Sequence, residues 1–265
     1  KQLTQFQDFD ISFMSAGPSD LVFEAGGTLY LMNLQTEKYK AVEVQVISDL
    51  SAEMPQRKDV SKNIANMTAS PGGKRIVFEA RGELFNVPVK EGFTLNITQS
   101  SGAFDRDPAW SPDGQHIAFW SDQSGEVELY LQDAEAAKPA QKVTNRNRGY
   151  GYKLYWSPDS KKIAFIDEKN DIYILDVAYK ALTLVANTAW NLGHGSRQGY
   201  PIEWSPDSKW IAFHHGLENA NNALFVYHLE TKEKQQLTSG FYDDSRPVFS
   251  VDGKYLFFMT NRNMQ

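Results

Sequence analysis

The sequence predicts an all-β fold, a β-propeller with about five and a half four-stranded blades. Three observations support this prediction. A Trp-Ser-Pro-Asp-Gly/Ser motif returns along the whole chain, its spacing matches one blade per repeat, and helical periodicity is almost absent. Each copy of the motif therefore marks the same point in successive blades.

The repeated motif is suited to a tight turn between two strands. Pro presets φ at the second position, Asp bonds its own backbone, and Gly takes the left-handed conformation. The intervals between the motif serines are 55, 41, 46, 48 and 45 residues, close to the roughly 40–45 residues of a blade. The close copies begin at Trp110, Trp156 and Trp204, drifted copies begin at Ala69 and Phe249, and a degraded copy covers residues 15–23.

Each copy is expected to supply strands A, B, C and D from the axis outward. The third copy, which is the best preserved, predicts them at 107–111, 116–121, 126–132 and 141–144. In the third of these strands polar and apolar residues alternate, as a strand requires. The first copy gives 21–25, 28–33 and 41–47, and the second gives 63–70, 75–80, 83–87 and a strand ending at Thr98. The later copies give 162–166, 171–176 and 182–186, then 210–214, 223–228 and 235–238. Residues 48–62 are predicted to form an exposed loop.

Composition narrows the class of protein. The chain has 265 residues, a net charge of −6, 41% hydrophobic residues and no cysteine. The acidic balance argues against a nucleic-acid partner, and no apolar stretch approaches the roughly 18 residues of a membrane span. We expect one propeller domain over 1–265, a piece of a longer chain with both ends cut within a blade. Nothing distinguishes a cytoplasmic from a periplasmic protein.

Residues for catalysis, metal or cofactor binding are not predicted. No Gly-x-Ser-x-Gly elbow occurs, and Ser196, which lies beside His194 among glycines, is interpreted as part of a loop. His214 and His215 are adjacent and should point to opposite faces of a strand. The motif aspartates are assigned to turn bonding rather than to a carboxylate ring, and the motif tryptophans to packing between blades.

Arginine is distributed unevenly over the predicted loops. If the strands run antiparallel, the D–A and B–C loops share one face, and that face would carry eight of the nine arginines. They are Arg57, Arg106, Arg146, Arg148, Arg197 and Arg246 in D–A loops, with Arg81 and Arg262 in B–C loops. Arginine suits bidentate capture of carboxylates. The candidates for binding a peptide carboxylate are Arg106, Arg148, Arg197 and Arg246.

A second interpretation of the arginines stays open. They could pair with nearby acids and tie neighbouring blades together. The acids in question are Asp105, Asp107, Asp243 and Asp244.

The repeat resembles the blade motif of TolB-type propellers, of prolyl-oligopeptidase-like propellers and of tricorn protease. Its flanking residues favour tricorn. Residues 79–88, 96–98, 106–110, 121–126 and 242–244 resemble the second propeller of bacterial tricorn-like peptidases, and the resemblance covers the whole chain.

The resemblance implies a substrate-conducting propeller, seven-bladed in that family, placed before a serine-peptidase region and a PDZ domain. This chain would be a non-catalytic propeller that admits, filters or holds peptides for a separate catalytic domain. Its expected partners are peptides and the catalytic and PDZ domains of the same parent chain, with a homo-oligomer also open. The alternative is a TolB-type scaffold that docks a protein partner and has no peptidase activity.

Overall fold

The computed structural model describes residues 2–7, 9–45, 59–100, 102–147, 149–187 and 197–262. They form five four-stranded antiparallel sheets and one two-stranded sheet. The chain divides into two compact units, Lys1–Lys58 and Asp59–Gln265. The all-β prediction is confirmed, whereas one domain over 1–265 stays a prediction. Most of the predicted 48–62 loop lies outside the described residues.

The first unit holds one sheet, in which consecutive strands are neighbours. Its strands are β1 (Ile11–Ala16), β2 (Asp20–Ala25), β3 (Thr28–Asn33) and β4 (Tyr39–Ala41). Gly26 and Gly27 make the tight β2–β3 turn with φ values of 60° and 78°, which favour glycine. Phe23 is buried and its ring lies 5.4 Å from that of Tyr30.

The second unit repeats the same four-stranded pattern. A short 3-10 helix, Ser61–Asn63, precedes the first of its sheets. Sheet two contains β5 (Ile64–Ala69), β6 (Arg75–Ala80), β7 (Glu83–Pro88) and β8 (Leu95–Asn96). Sheet three contains β9 (Arg106–Trp110), β10 (His116–Ser121), β11 (Glu128–Asp133) and β12 (Gln141–Lys142).

The remaining sheets continue the series. Sheet four contains β13 (Tyr155–Trp156), β14 (Lys162–Ile166), β15 (Asp171–Asp176) and β16 (Ala181–Asn187). Sheet five contains β17 (Ile202–Trp204), β18 (Trp210–Gly216), β19 (Asn222–His228) and β20 (Lys234–Gln236). Sheet six contains β21 (Asp244–Phe249) and β22 (Leu256–Thr260).

The predicted central strands agree with the structure, and the outer ones differ most. The bounds predicted for β3, β6, β10, β14 and β15 are confirmed. The third C strand was predicted to start at Glu126, but β11 starts at Glu128 because Gly125 (φ 95°) belongs to the hairpin loop. The first D strand was predicted over 41–47, whereas β4 spans Tyr39–Ala41. Apart from β16, which has seven residues, the outer strands have two or three residues and bury little, so their pattern is weak.

The core of the second unit lies between successive sheets. In β10, Ile117 and Phe119 pack towards sheet two, while Ala118 and Trp120 pack towards sheet four. Strand β14 behaves in the same way between sheets three and five. These central strands thus have two apolar faces, as expected of stacked propeller blades.

Two of the motif tryptophans, Trp156 and Trp204, join their sheet to the preceding one by a hydrogen bond. The indole Nε1 of Trp156 donates to the carbonyl of Ala109 at 3.0 Å, and that of Trp204 donates to the carbonyl of Tyr155 at 2.9 Å. Both acceptors lie on the A strand of the sheet before. The packing role predicted for these tryptophans is confirmed.

The motif aspartates are held within their own turns. The Ser157 hydroxyl donates to Asp159 Oδ1 at 2.6 Å, and this oxygen also accepts the amide of Lys161. The copies at Asp113, Asp207 and Asp252 form the equivalent bonds. The hydrogen bonds from Ser205 and Lys209 hold the pKa of Asp207 below its usual range. Local turn bonding is therefore confirmed over a carboxylate ring.

The last turn position shows why Ser can replace Gly there. Gly73, Gly114 and Gly253 have φ values of 62°, 71° and 70°. Ser160 and Ser208 adopt 59° and 60° at the same position, although non-glycine residues are uncommon in this region. Each hydroxyl accepts an amide from the preceding sheet's turn: Ser160 Oγ accepts Asp113 N at 3.0 Å, and Ser208 Oγ accepts Asp159 N at 3.1 Å.

Replacing Trp204 should cost far more stability than replacing a motif aspartate. Trp204 is 7% exposed, so Trp204→Ala should lower the free energy of unfolding by about 3–5 kcal/mol. Asp159→Ala removes turn hydrogen bonds and should cost about 1 kcal/mol. Denaturant melts of both variants test the order, and a larger loss for Asp159→Ala would contradict the assignment.

Ser160 allows backbone strain and hydrogen bonding to be separated. Ser160→Ala keeps the left-handed strain and loses the bond to Asp113, so it should destabilise by about 0.5–1 kcal/mol. Ser160→Gly loses the same bond but relieves the strain, and should be nearly neutral. Thermal unfolding of the two variants gives the comparison. Equal losses would show that strain at Ser160 is negligible.

Candidate functional site

Equivalent residues of the A strands line the inner edge of the sheets. The position three residues before the last residue of the strand is occupied by Asn66, Asp107, Lys153, Pro201 and Arg246, and we call it the inner position. Asp107 and Arg246 have φ values of 51° and 52°. In both strands the pairing register shifts by one residue there, which is a β-bulge. A bulge changes the direction of a side chain.

Three of these residues line one cavity, which we call the inner cavity. Its volume is about 340 Å³, and Asn66, Asp107, Lys153 and Gln198 supply polar groups to it. Asp107 Oδ1 accepts Asn66 Nδ2 at 2.7 Å and Gln198 Nε2 at 2.8 Å. Asp107 thereby links residues that belong to sheets two and three with the segment leading to sheet five.

Two buried charged residues, Glu79 and Arg106, contact Asp107 of the inner cavity. Glu79 Oε2 accepts the backbone amide of Asp107 at 2.9 Å, and burial together with the nearby Asp107 carboxylate raises the pKa of Glu79. The Arg106 guanidinium lies 3.9 Å from Asp107 Oδ2. Burial lowers the pKa of Arg106 to about 10, so this side chain stays positively charged at neutral pH.

The three candidate arginines among the described residues lie in different environments. Arg106 is 4% exposed and stacks on Tyr150, with its Cζ 3.1 Å from the ring centroid. Arg197 donates through Nε to Asn170 Oδ1 at 2.6 Å. Arg246 is exposed on β21, and Arg148 lies outside the described residues, as does Arg57.

An offset of one residue explains why Arg106 and Arg246 differ. Sequence spacing suggested that both stand at the entry to an A strand, but Arg246 occupies the inner position and is equivalent to Asp107. Arg106 precedes that position by one residue. Neighbouring residues of a strand point to opposite faces. Arg106 is therefore buried against Tyr150, whereas Arg246 is exposed.

Some arginines do tie parts of the fold together, through partners other than those expected. Arg146 Nη2 lies 2.6 Å from Asp167 Oδ2, and both side chains are buried. Arg197 reaches from the segment before β17 to Asn170 in the β14–β15 turn. The sequence analysis proposed four acids as arginine partners. Among the ion pairs between described residues, one involves these acids: Asp107 Oδ2 lies 3.9 Å from Arg106 Nη1.

Comparison with known proteins identifies the family. A model described as the tricorn protease second beta propeller domain matches residues 64–265. The chain belongs to this family. Its resemblance to tricorn-like propellers, predicted from the blade motifs, is thereby confirmed.

Curated relatives of this tricorn propeller are longer proteins. An uncharacterized peptidase, YuxL, of Bacillus subtilis (strain 168) is 28% identical over 192 residues, covering 65% of this chain and 26% of the relative. A tricorn protease homolog of Saccharolobus solfataricus is 22% identical over 263 residues, covering 98% of this chain and 23% of the relative. The chain thus spans about a quarter of the length of these relatives.

Solved structures support the propeller fold. The crystal structure of the tricorn protease matches with a TM-score of 0.68 and 20% identity, covering 99% of this chain and 25% of that one. A putative TolB from Agrobacterium tumefaciens matches with a TM-score of 0.53 and 19% identity, covering 88% of this chain and 77% of that one. At these identities the likeness concerns the fold.

Lys153, Asn66 and Gln198 are site residues that the sequence analysis missed in this tricorn propeller. The signal for the first two was present: counting back three residues from the residue before each motif serine gives the inner position. Arginine enrichment drew attention to the loops instead. Gln198 carries no repeat signal, because it lies in a helical segment before β17 and not on a blade strand.

Two adjacent histidines of β18 contact different aromatic rings. His214 contacts the Tyr200 ring and His215 contacts the Phe225 ring, so the prediction of opposite faces is confirmed. Within the described ranges, no group of three or more His, Asp or Glu side chains could hold a metal ion. Ser196 and His194 lie outside the described residues. None of the helices in the described part is long and apolar enough to cross a membrane.

His214 should make the stability of this tricorn propeller depend on pH. Burial lowers its pKa to about 4 against 6.5 when exposed, although Asp243 acts in the opposite direction. Between these values the unfolded state binds more protons, so stability falls as pH drops from 6.5 to 4. The loss should be about 1–3 kcal/mol.

The variant His214→Phe tests this pH dependence. It keeps an aromatic ring beside Tyr200 and cannot take up a proton, so its stability should vary less between pH 6.5 and 4. Urea midpoints at several pH values for both proteins give the measurement. Parallel curves would show that His214 does not contribute.

Proposed function

We propose that this propeller admits, filters or holds peptide substrates for a separate catalytic domain of a tricorn-like serine peptidase. The observation that carries the proposal is the inner cavity, which is lined by side chains of both charge signs in a chain of the tricorn second-propeller family. A peptide with free ends also carries both signs. The peptidase activity of a parent chain and its PDZ and catalytic domains belong to the same proposal.

Arginine contacts with a peptide carboxylate remain part of this proposal. Arg246 is the best placed of the four candidates, because it is exposed and occupies the inner position. Arg197 keeps Nε bonded to Asn170. Arg106 is buried against Tyr150, so a peptide could reach it only after a rearrangement. Arg148 stays a candidate on sequence grounds alone.

A second candidate function is a scaffold that docks a protein partner without any peptidase. The similarity to the structure of a putative TolB favours this alternative, because the match covers 77% of that protein's chain. The two functions differ in what they bind. A peptide conduit should bind short unstructured peptides, whereas a scaffold should not.

We expect the chain to prefer a peptide with a free carboxylate over its C-terminal amide, and Arg246→Gln to reduce that preference. A contact of this kind, partly shielded from water, should exceed the roughly 0.2–1 kcal/mol of an exposed ion pair. Titration of both peptides against the two proteins measures the effect. Arg81→Gln is the matched control, since Arg81 is exposed on a loop of the same face.

Equal binding of acid and amide by the unaltered chain would contradict carboxylate recognition and favour the scaffold.

The chain itself should not cleave fluorogenic tri- and tetrapeptides above the buffer rate. Turnover that disappears in Ser196→Ala would overturn the non-catalytic assignment.

A further inference from the structure

The two amides of the inner cavity have a fixed orientation. An ionised carboxylate only accepts hydrogen bonds, so the amide nitrogens must face Asp107. Asn66 Nδ2 donates to Asp107 at 2.7 Å and approaches Glu79 Oε2 at 3.4 Å, while Gln198 Nε2 donates to Asp107 at 2.8 Å. The amide oxygens therefore point away from the carboxylates. Within the described part of the chain, no donor is bonded to either oxygen.

Lys153 brings a positive charge to the same cavity. It occupies the inner position of sheet four and is exposed. Its Nζ lies 5.2 Å from the Tyr155 ring centroid, and it forms no ion pair with a carboxylate of the described residues. Arg106 and Arg197, by contrast, are engaged with Tyr150 and Asn170. Lys153 is thus a cation available to a ligand.

The remaining walls limit what can bind. Pro108 and Leu154 are buried and make an apolar side of the cavity. The volume of about 340 Å³ lies at the lower end of the roughly 300–1,000 Å³ of small-ligand pockets. An inorganic anion would meet one cation but also Asp107 and two amide oxygens. A ligand that joins N–H donors to a carboxylate suits this lining better.

We infer that the inner cavity binds the carboxyl-terminal end of an extended peptide. Lys153 pairs with the α-carboxylate, and the oxygens of Asn66 and Gln198 accept backbone N–H groups of the last residues. The inference rests on the proposed peptide-handling function and adds the site and the residues that read the peptide end. Lys153 is then a residue that distinguishes acid from amide, in addition to the candidate Arg246.

The experiment uses N-terminally labelled penta-alanine as free acid and as C-terminal amide, with binding followed by fluorescence anisotropy at low ionic strength. Lys153→Gln should weaken binding of the acid about tenfold and leave the amide unchanged. Lys153→Arg should retain the preference for the acid. Lys209→Gln, which removes an exposed lysine from the opposite end of sheet five, should behave like the unaltered chain.

Gln198→Ala supplies a second readout, because it removes an acceptor and not a charge. It should weaken acid and amide to a similar extent. Circular dichroism of every variant confirms that it is folded. A Lys153→Gln protein that keeps the full preference, while Arg246→Gln loses it, would overturn this inference and leave the proposed function standing. An unaltered chain without any preference would overturn both.

Discussion

The fold of the second unit depends on burying both faces of its central sheets. Strand β10 places Phe119 against sheet two and Trp120 against sheet four, so sheet three requires a neighbour on each side. Two apolar faces without partners would expose large hydrophobic patches to water. The contacts are close: a Cβ on Gly151 would lie 2.0 Å from the Trp120 ring. Successive sheets are therefore held in tight registry.

This registry also determines where polar groups can go. The Trp204 indole bonds to Tyr155 of the preceding A strand, and Ser208 bonds to the turn of Asp159. Both hydrogen bonds are made at fixed positions of the repeat, one by the motif tryptophan and the other by the serine that ends the turn. The inner position lies on or just before the same strands, and its polar residues belong to none of the hydrophobic clusters. It can therefore hold Asn66, Asp107, Lys153 or Arg246 without loss of packing.

The fold was largely predictable from the sequence because its signals are local. Turn chemistry at Ser157 and Asp159 and alternation along β10 depend on residues close in the chain. The candidate site was harder to predict for two reasons. The inner position is apparent only when the copies of the repeat are aligned, which shows Arg106 one residue before the equivalent of Arg246. Gln198 reaches Asp107 across 91 residues of sequence.

Desolvation explains why arginines such as Arg106 and Arg146 can be buried within the fold. A guanidinium is weakly hydrated and stacks on aromatic rings, so it can be buried at moderate cost. Arg106 on Tyr150 and Arg146 among Trp120, Phe165 and Tyr173 show this use. An ammonium is strongly hydrated and tends to stay in contact with water. A lysine at the inner edge, such as Lys153, is consequently a cation that this architecture leaves within reach of a ligand.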